Sequence, residues 1–370
     1  MGIPSLLFGT VVVLTLLALL YRVRALKHLE YTRHFSRSIV YAGDRIEMVE
    51  RIVNRKLLPL PWLRLESLIA QGLVFDSQTN LDIRSGELFQ NHISLFSLRP
   101  YRQITRRHQV LCAKRGLYRL DSATMTTGDP LGLNVGSIRF ALKAELLVYP
   151  CPAELEELPL PVRSWLGELP VRRWVAEDPF LTSGVRGYRP GDPLSAVNWK
   201  ATARTGELQV HRKDYTADHR LMIVLNLDVS EGMWKSVTDP ERMELGIRYA
   251  ASIAAHAVRH GMEVGLMCNG RLQGGPVAPV HLAPRGGEAQ LTELLELLAK
   301  LELETADTIN GLLEQEAGRL ESAAVEGVAD YVLLTCYTSD QLLDRLERLT
   351  WQGARIEQLT IPEVREEESA

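Results

Sequence analysis

The first twenty residues constrain this chain more than any other stretch. From Ile3 to Leu20 run 18 residues without a charge. As a helix rising about 1.5 Å per residue they reach about 27 Å, close to the hydrocarbon thickness of a bilayer. A transmembrane helix over 3–20 is therefore predicted. A cleaved signal peptide competes with it, but that reading needs a basic n-region and a small-residue cleavage site, and nothing basic precedes Leu6 apart from the amino terminus. The basic residues follow the run instead, as Arg22, Arg24 and Lys27. The positive-inside rule then gives a single-pass protein of the cell membrane, its N-terminus outward and its C-terminal domains cytoplasmic.

The remaining chain, out of 370 residues, is long enough for two domains. A net charge of -4 argues against a general nucleic-acid binder, because a phosphate backbone calls for a surplus of Lys and Arg. Cys112, Cys151, Cys268 and Cys336 lie far apart with no Cys-x-x-Cys pair. They spell neither a disulfide framework nor a thiolate metal site, which fits a reducing compartment.

Over 30–150 the pattern is short apolar alternation, as in Ile46-Glu47-Met48 and Leu63-Arg64-Leu65-Glu66, broken by turns at Tyr41-Ala42-Gly43-Asp44, Asn54 to Pro61 and Gly128 to Gly132. An antiparallel β-sandwich-like domain is the natural packing. Between Arg99 and Arg119 stand seven basic residues, Arg99, Arg102, Arg106, Arg107, Lys114, Arg115 and Arg119. They read as a solvated strand face or as a patch for anionic lipid head groups. Residues 151–217, opening on a Pro- and Glu-rich stretch, read as a connector.

In 218–363 the period changes. Leu221 to Leu227 is a continuous apolar run suited to a buried parallel strand. Asp239-Pro240 supplies an N-cap and a first-turn proline for a helix carrying Met243, Ile247, Ala250, Ile253, Ala254 and Ala257 and ending at Gly261. Val264 to Met267, Tyr331 to Thr335 and Ile356 to Ile361 read as strands. Leu291 to Leu301, Leu312 to Leu320 and Leu342 to Leu349 read as helices. Strands alternating with helices predict a doubly wound, Rossmann-type α/β domain with a parallel sheet.

Asp228 and Ser230 stand at the carboxyl end of its first strand, where ligands bind in such sheets. The run Asp228-Val229-Ser230-Glu231-Gly232 resembles the metal-ion-dependent adhesion site of von Willebrand factor A domains, whose first loop reads Asp-x-Ser-x-Ser. Gly232 replaces the second serine, Thr335-Cys336-Tyr337-Thr338 stands where the family places an aspartate, and the loop Gly274 to Glu288 has no Thr. An oxygen site for a divalent cation usually needs six or more ligands including water. The reading is therefore an Asp and a Ser capping a turn, with no cofactor. Magnesium or manganese held by Asp228 and Ser230 is the alternative.

A second constellation is Tyr188-Arg189-Pro190-Gly191-Asp192-Pro193, followed by Trp199-Lys200-Ala201-Thr202-Ala203-Arg204-Thr205-Gly206. Pro190-Gly191 fits a type II turn, Asp192 with Pro193 a helix start and Gly206 its exit, with Leu194, Val197 and Ala201 packing inward. Trp199, Lys200 and Arg204 make either a structural clasp or a docking surface. This run, with Glu207-Leu208, looks like the signature of the bacterial and archaeal domain-of-unknown-function fifty-eight family. Tyr41-Ala42-Gly43-Asp44, Leu58-Pro59-Leu60-Pro61, Arg115-Gly116-Leu117-Tyr118 and Asp129-Pro130-Leu131-Gly132-Leu133 resemble the β-domain preceding that signature. Asn198 stands where the family commonly has an acidic residue.

The resemblance implies a von Willebrand factor A-like C-terminal domain and a protein partner, a MoxR-type AAA+ ATPase. No phosphate loop, dinucleotide fingerprint, nucleophile elbow or zinc-helix signature occurs. His256 and His260, four apart on the first predicted α/β helix, read as its solvent side rather than as metal ligands. The sequence therefore predicts a non-catalytic, membrane-anchored scaffold or assembly factor, and alternatively a metal-dependent adhesion or ligand-binding protein.

Overall fold

The computed structural model describes residues 3–76, 81–85, 89–132, 134–153, 182–189, 194–213, 220–232, 237–322 and 329–363. The chain is mixed α/β, rich in sheet, with one N-terminal apolar helix, and it divides into units 1–151 and 152–370.

The first unit opens with α1 (Ile3–Arg24), long and apolar enough over Leu7–Arg24 to cross a membrane and compatible with an anchor. Ten strands follow: β1 (Leu29–Phe35), β2 (Ile39–Tyr41), β3 (Arg45–Asn54), β4 (Leu60–Ala70), β5 (Leu73–Phe75), β6 (Leu81–Ser85), β7 (Phe89–Leu98), β8 (Gln103–Cys112), β9 (Gly116–Gly128) and β10 (Val135–Tyr149). They form sheets ordered β1-β3-β8-β5 and β2-β10-β9-β4-β7-β6, antiparallel throughout except for the short parallel pair of β2 with β10. Alternation does the sorting. In β3 Ile46, Met48, Glu50, Ile52 and Asn54 point inward while their neighbours face out. The apolar core forms two clusters, one with Ile46, Met48, Val110 and Leu146 and one with Tyr31, Ile52, Leu60, Leu63 and Met125.

The turns read from sequence are present. Gly43 takes φ +96°, and Asp44 Oδ2 accepts the Tyr41 amide at 3.0 Å. At the β9–β10 turn Asp129 accepts the amides of Leu131 at 2.9 Å and Asn134 at 2.7 Å. Tyr21, in the last turn of α1, is only 4% exposed and donates to the Pro59 carbonyl at 3.0 Å. The Lys56 ammonium closes the helix end, donating to the carbonyls of Ala25 and, at 2.7 Å, Lys27. A cation there satisfies orphan carbonyls and meets the negative end of the helix dipole. Burial lowers that ammonium to about 8.

The second unit begins, in what is read from sequence as connector, with an antiparallel pair, β11 (Thr182–Gly187) and β12 (Gln209–Lys213). Between them lie a 3-10 turn at Leu194–Ala196 and α2 (Trp199–Thr205). Then come β13 (Arg220–Leu225), α3 (Pro240–Arg259), β14 (Glu263–Cys268), β15 (Gly270–Leu272), β16 (Val280–Arg285), α4 (Glu288–Lys300), β17 (Leu301–Thr305), α5 (Ile309–Ser322), β18 (Asp330–Thr335), α6 (Asp340–Trp351) and β19 (Ile356–Thr360). The main sheet is ordered β16-β14-β13-β18-β19, with every pair parallel except β16 with β14.

Met222 and Val224 meet α5 and α6 through Ile309, Leu313, Leu342 and Leu349. On the opposite face Gly246 of α3 lies so close that a Cβ would meet Ile361 Cδ1 at 2.6 Å, with Leu225 next to it. Both faces of β13 are thus covered, which is why its sequence is apolar without alternation.

Asp239 caps α3 by accepting the Arg242 amide at 3.1 Å, with Pro240 in the first turn. Two details differ from the sequence reading. The segment expected as a loop, Gly274 to Glu288, contains β16, an edge strand that accommodates Pro284 because edges leave amides unpaired. Leu301 belongs not to a helix but to β17, which pairs with β15. Residues 364–370, and 154–181 of the connector, lie outside the described residues.

Candidate functional site

The carboxyl ends of β13, β14 and β18 meet around side chains that are polar and fully enclosed. Asn226, Asn269 and Thr335 are each 0% exposed. Asn226 Nδ2 donates to Thr335 Oγ1 at 3.0 Å, and Asn269 Oδ1 accepts the Leu227 amide at 2.8 Å. Asn226 Oδ1 accepts the Asp228 amide at 2.9 Å and Asn269 Nδ2 at 3.3 Å. Thr335 Oγ1 donates to the Tyr337 carbonyl at 3.0 Å. Three strand ends are stitched by neutral groups whose donors and acceptors match.

Asp228 lies beside this network, 6% exposed. Its Oδ2 accepts the Ile309 amide at 3.1 Å, the first helical amide of α5. Thr308 caps the same helix by accepting the Gly311 amide at 3.1 Å. Burial pushes the Asp228 carboxyl up, while the Ile309 amide and Asn269 pull it down. Ser230 is exposed, and Gly232 turns the chain at φ +77°. Among the described residues no three His, Cys, Asp or Glu side chains gather at one point. His256 and His260 stack with ring centroids 4.2 Å apart, and His260 Nδ1 lies 2.8 Å from the His256 carbonyl.

The signature run folds between β11 and β12. Tyr188 donates its amide to the Leu208 carbonyl at 2.9 Å. Val197 bridges to Val210, and both are buried. Helix α2 starts at Trp199, with Asn198 as N-cap accepting the Ala201 amide at 3.0 Å; the helix start read at Asp192-Pro193 lies outside the described residues. Asparagine and aspartate cap equally well, which accounts for Asn198 where an acid is common. The exit is at Gly206, φ +76°, as expected. Trp199 is 65% exposed, and Lys200 and Arg204 are exposed beside it. Ala201 is half-buried. Pro190, Gly191 and Asp192 lie outside the described residues, as does the side chain of Leu194.

Sequence reasoning missed a second polar centre, inside the sandwich. Arg33 stands directly opposite Glu50 across β1 and β3, and Arg33 Nη2 meets Glu50 Oε1 at 2.5 Å. Tyr31 donates to the same oxygen at 2.8 Å. His108 Nε2 lies 3.0 Å from Glu50 Oε2, and Ser67, from the facing sheet, lies 3.1 Å from Arg33. Arg33, Glu50, Ser67 and His108, with His92 and Ser94, line a cavity of about 10 Å3, room for about one water.

Burial opposes ionisation of Glu50, yet His108 and Arg33 hold its carboxyl well below the usual range. Burial and the Arg33 charge push His92 down to about 4. The missed signal was parity: Tyr31 and Arg33 share the inward face with Leu29, as Glu50 does with Met48 and Ile52.

Among known proteins, the chain is 22% identical over 324 residues to the uncharacterized protein YeaD of Bacillus subtilis (strain 168), covering 87% of this chain and 74% of that one. Among solved structures, a non-cellulosomal cohesin from the archaeon Archaeoglobus fulgidus aligns with 32% of this chain and 91% of its own, at 12% identity and a TM-score of 0.23. A cohesin module from a Clostridium perfringens glycoside hydrolase aligns with 31% of this chain and 97% of its own, at 10% identity and a TM-score of 0.20. The family described as "Protein of unknown function DUF58" matches residues 184–368, which take in most of β11, the signature run and the whole five-stranded sheet; the chain belongs to that family.

Proposed function

We propose that this chain is a membrane-anchored, non-catalytic scaffold or assembly factor whose second unit, a von Willebrand factor A-like domain, binds another protein, and that the partner is a MoxR-type AAA+ ATPase. The observation that carries this reading is Trp199, a large aromatic 65% exposed, followed by the exposed cations Lys200 and Arg204 on a helix fixed at both ends by Asn198 and Gly206. Tryptophan and arginine held in that way are what binding hot spots are made of. The crevice at Asp228 favours the same reading from the other side, since one carboxylate oxygen is engaged by the Ile309 amide.

Affinity capture from membranes with the full chain as bait tests it. Recovery of an AAA+ ATPase, lost in Trp199→Ala with Arg204→Glu, is the expected result; capture without any such ATPase overturns the partner.

The second reading, a magnesium-, manganese- or calcium-dependent adhesion or ligand-binding protein using Asp228 and Ser230, rests on the place of those residues at the strand ends. Calorimetry separates the two: the scaffold gives no binding heat, whereas the metal site gives heat that Asp228→Ala abolishes. The cytoplasmic placement has its own test. Cys112 and Cys268 are buried, but Cys151 is exposed, so its resistance to an impermeant thiol reagent in intact cells is expected and its labelling would reverse the topology.

A further inference from the structure

We propose that the end of the sandwich from which α1 departs is itself a membrane-binding surface, seated on anionic head groups with the loop residues Leu57, Tyr101 and Leu131 in the interface. This rests on α1 spanning the bilayer.

The registers place these loops together. Leu29 pairs with Asn54 and Val53 with Gln103 in one sheet; Leu60 pairs with Leu98 and Val135 with Gly128 in the other. The helix exit and the loops 55–59, 99–102 and 129–134 therefore all leave the strands at one end. The connection 113–115 and the departure at Cys151 lie at the other, about 33 Å away along the ten residues of β8.

The near end is a braced platform. Asn54 Nδ2 donates to the Leu58 carbonyl at 3.0 Å and the Arg99 carbonyl at 3.2 Å. The Tyr101 amide donates to the Lys56 carbonyl at 3.2 Å, and the Arg55 amide to the His28 carbonyl at 3.0 Å. From it project Leu57, 74% exposed, Tyr101, 68%, and Leu131, 59%. Tyr101 holds φ +49°, an unfavourable conformation for a non-glycine, while its ring stands in solvent and adds nothing to the core.

The cations agree with these exposed apolar side chains. Arg22, Arg24, Lys27, Arg55, Arg99 and Arg102 are exposed at this end, and among the described residues only Arg55 meets an acid there, Glu30 at 2.9 Å. The basic run divides accordingly. Arg107 pairs with Glu47 and Arg119 with Glu145 on the sheet surfaces, so Arg99 and Arg102 are its members positioned for lipid.

No slack separates the surface from the bilayer, because Tyr21 is sunk in the sandwich core and its hydroxyl holds Pro59. A span ending at Leu20 brings these loops to head-group depth. Exposed aromatics and cations at that depth are the usual interfacial anchors.

The test uses the full chain, in a Cys151→Ser background, reconstituted in vesicles of phosphatidylcholine with phosphatidylglycerol. Nitroxide labels go on Leu57→Cys, Tyr101→Cys, Leu131→Cys, Leu14→Cys in the span and Ala113→Cys at the far end. Relaxation by oxygen, which concentrates in lipid, is compared with relaxation by an aqueous nickel chelate. The expected result is a several-fold higher oxygen-to-nickel ratio at the three loop positions than at Ala113, falling toward the Ala113 value in phosphatidylcholine alone. Aqueous values at the loops with Leu14 in lipid would overturn the proposal and leave the span standing; aqueous values at Leu14 as well would overturn the span and this surface with it. Ratios unchanged in phosphatidylcholine alone would overturn the part assigned to the cations.

Discussion

The sandwich and the parallel sheet both bury polar side chains beyond the reach of water, and they do so with opposite chemistry. At the strand ends of the second unit, Asn226, Asn269 and Thr335 are neutral, and each bond satisfies a donor and an acceptor together. Inside the sandwich, Glu50 is answered by Arg33 and His108, with Arg106 Nη1 further off at 3.7 Å. A neutral network tolerates the loss of one member at the cost of the bonds that member made. A charged cluster does not, because whatever remains is an uncompensated charge in a poor solvent. The first arrangement suits a frame that must stay in register beside a crevice. The second locks β1, β3 and β8 to one another through a single carboxylate.

Removing that carboxylate should give the largest effect. Glu50→Ala leaves Arg33 and His108 facing each other and is expected to cost about 3–5 kcal/mol, whereas replacing Arg33, Glu50 and His108 together by apolar residues of similar volume should be neutral or stabilising by about 1–4 kcal/mol. Urea titration of the full chain in detergent, read by hydrogen exchange in β3, distinguishes them. Equal losses from the single and the triple change would mean that packing rather than charge holds the cluster together.

Acid should weaken the two regions in different order. The His92 value is held down to about 4 from an ordinary 6.5, so the unfolded chain takes up that proton first. The contribution is complete above the unfolded value and is lost as pH falls toward the folded one. Glu50 is also held below its ordinary value of 4.5, so its share goes in turn as pH falls further. For His92 the ceiling is about 3 kcal/mol. Asp228 runs the other way: its value is raised, so its contribution is present in acid and lost as pH rises through the folded value. Exchange protection in β3 should therefore fall between about pH 6.5 and pH 4 while that of β13 holds. His92→Gln should flatten the first part of the fall, and parallel losses in β3 and β13 would break the contrast.

A smaller effect is expected at the strand ends. Asn269→Ala removes the acceptor of the buried Leu227 amide, which should cost about 1–3 kcal/mol. The loss should appear as faster exchange at the start of the loop after β13, with β3 unchanged. A larger loss would mean that the neutral network is as brittle as the charged one.

How much of this could be read from the residues depends on which interactions are local. Helix α3 was legible because its cap, its proline and its apolar period all sit within its own stretch. The N-terminal apolar helix was legible because eighteen uncharged residues in a row leave few alternatives to a helix of that length. Strand β16 was hidden because Val280 to Arg285 is short and interrupted by Pro284, and only β14 at its side makes it a strand. In the signature run the start of α2 at Trp199 was not read, because capping residues stand at both Asp192 and Asn198 and the local sequence does not choose between them. The Arg33–Glu50–His108 cluster joins positions 17 and 58 residues apart. No window along the chain contains it, although the inward parity of each member could have been counted.

The smallest expected effect is also the one that bears most on the crevice. In Asp228→Asn the remaining carbonyl oxygen still accepts the Ile309 amide, so the α5 cap survives. What changes is the charge. A negative charge at a helix N-terminus is worth about 0.3–1 kcal/mol, but burial already works against it here, as the raised value of the carboxyl records. The two contributions oppose each other, and the net change in stability should stay below about 1 kcal/mol. Capture of the proposed partner should persist in this variant, because Asp228 contributes a hydrogen bond to the frame and no charge to α2. If instead capture fails while exchange in β13 and α5 is unaltered, the carboxylate itself is part of recognition, and the neutral frame at the strand ends serves to present it.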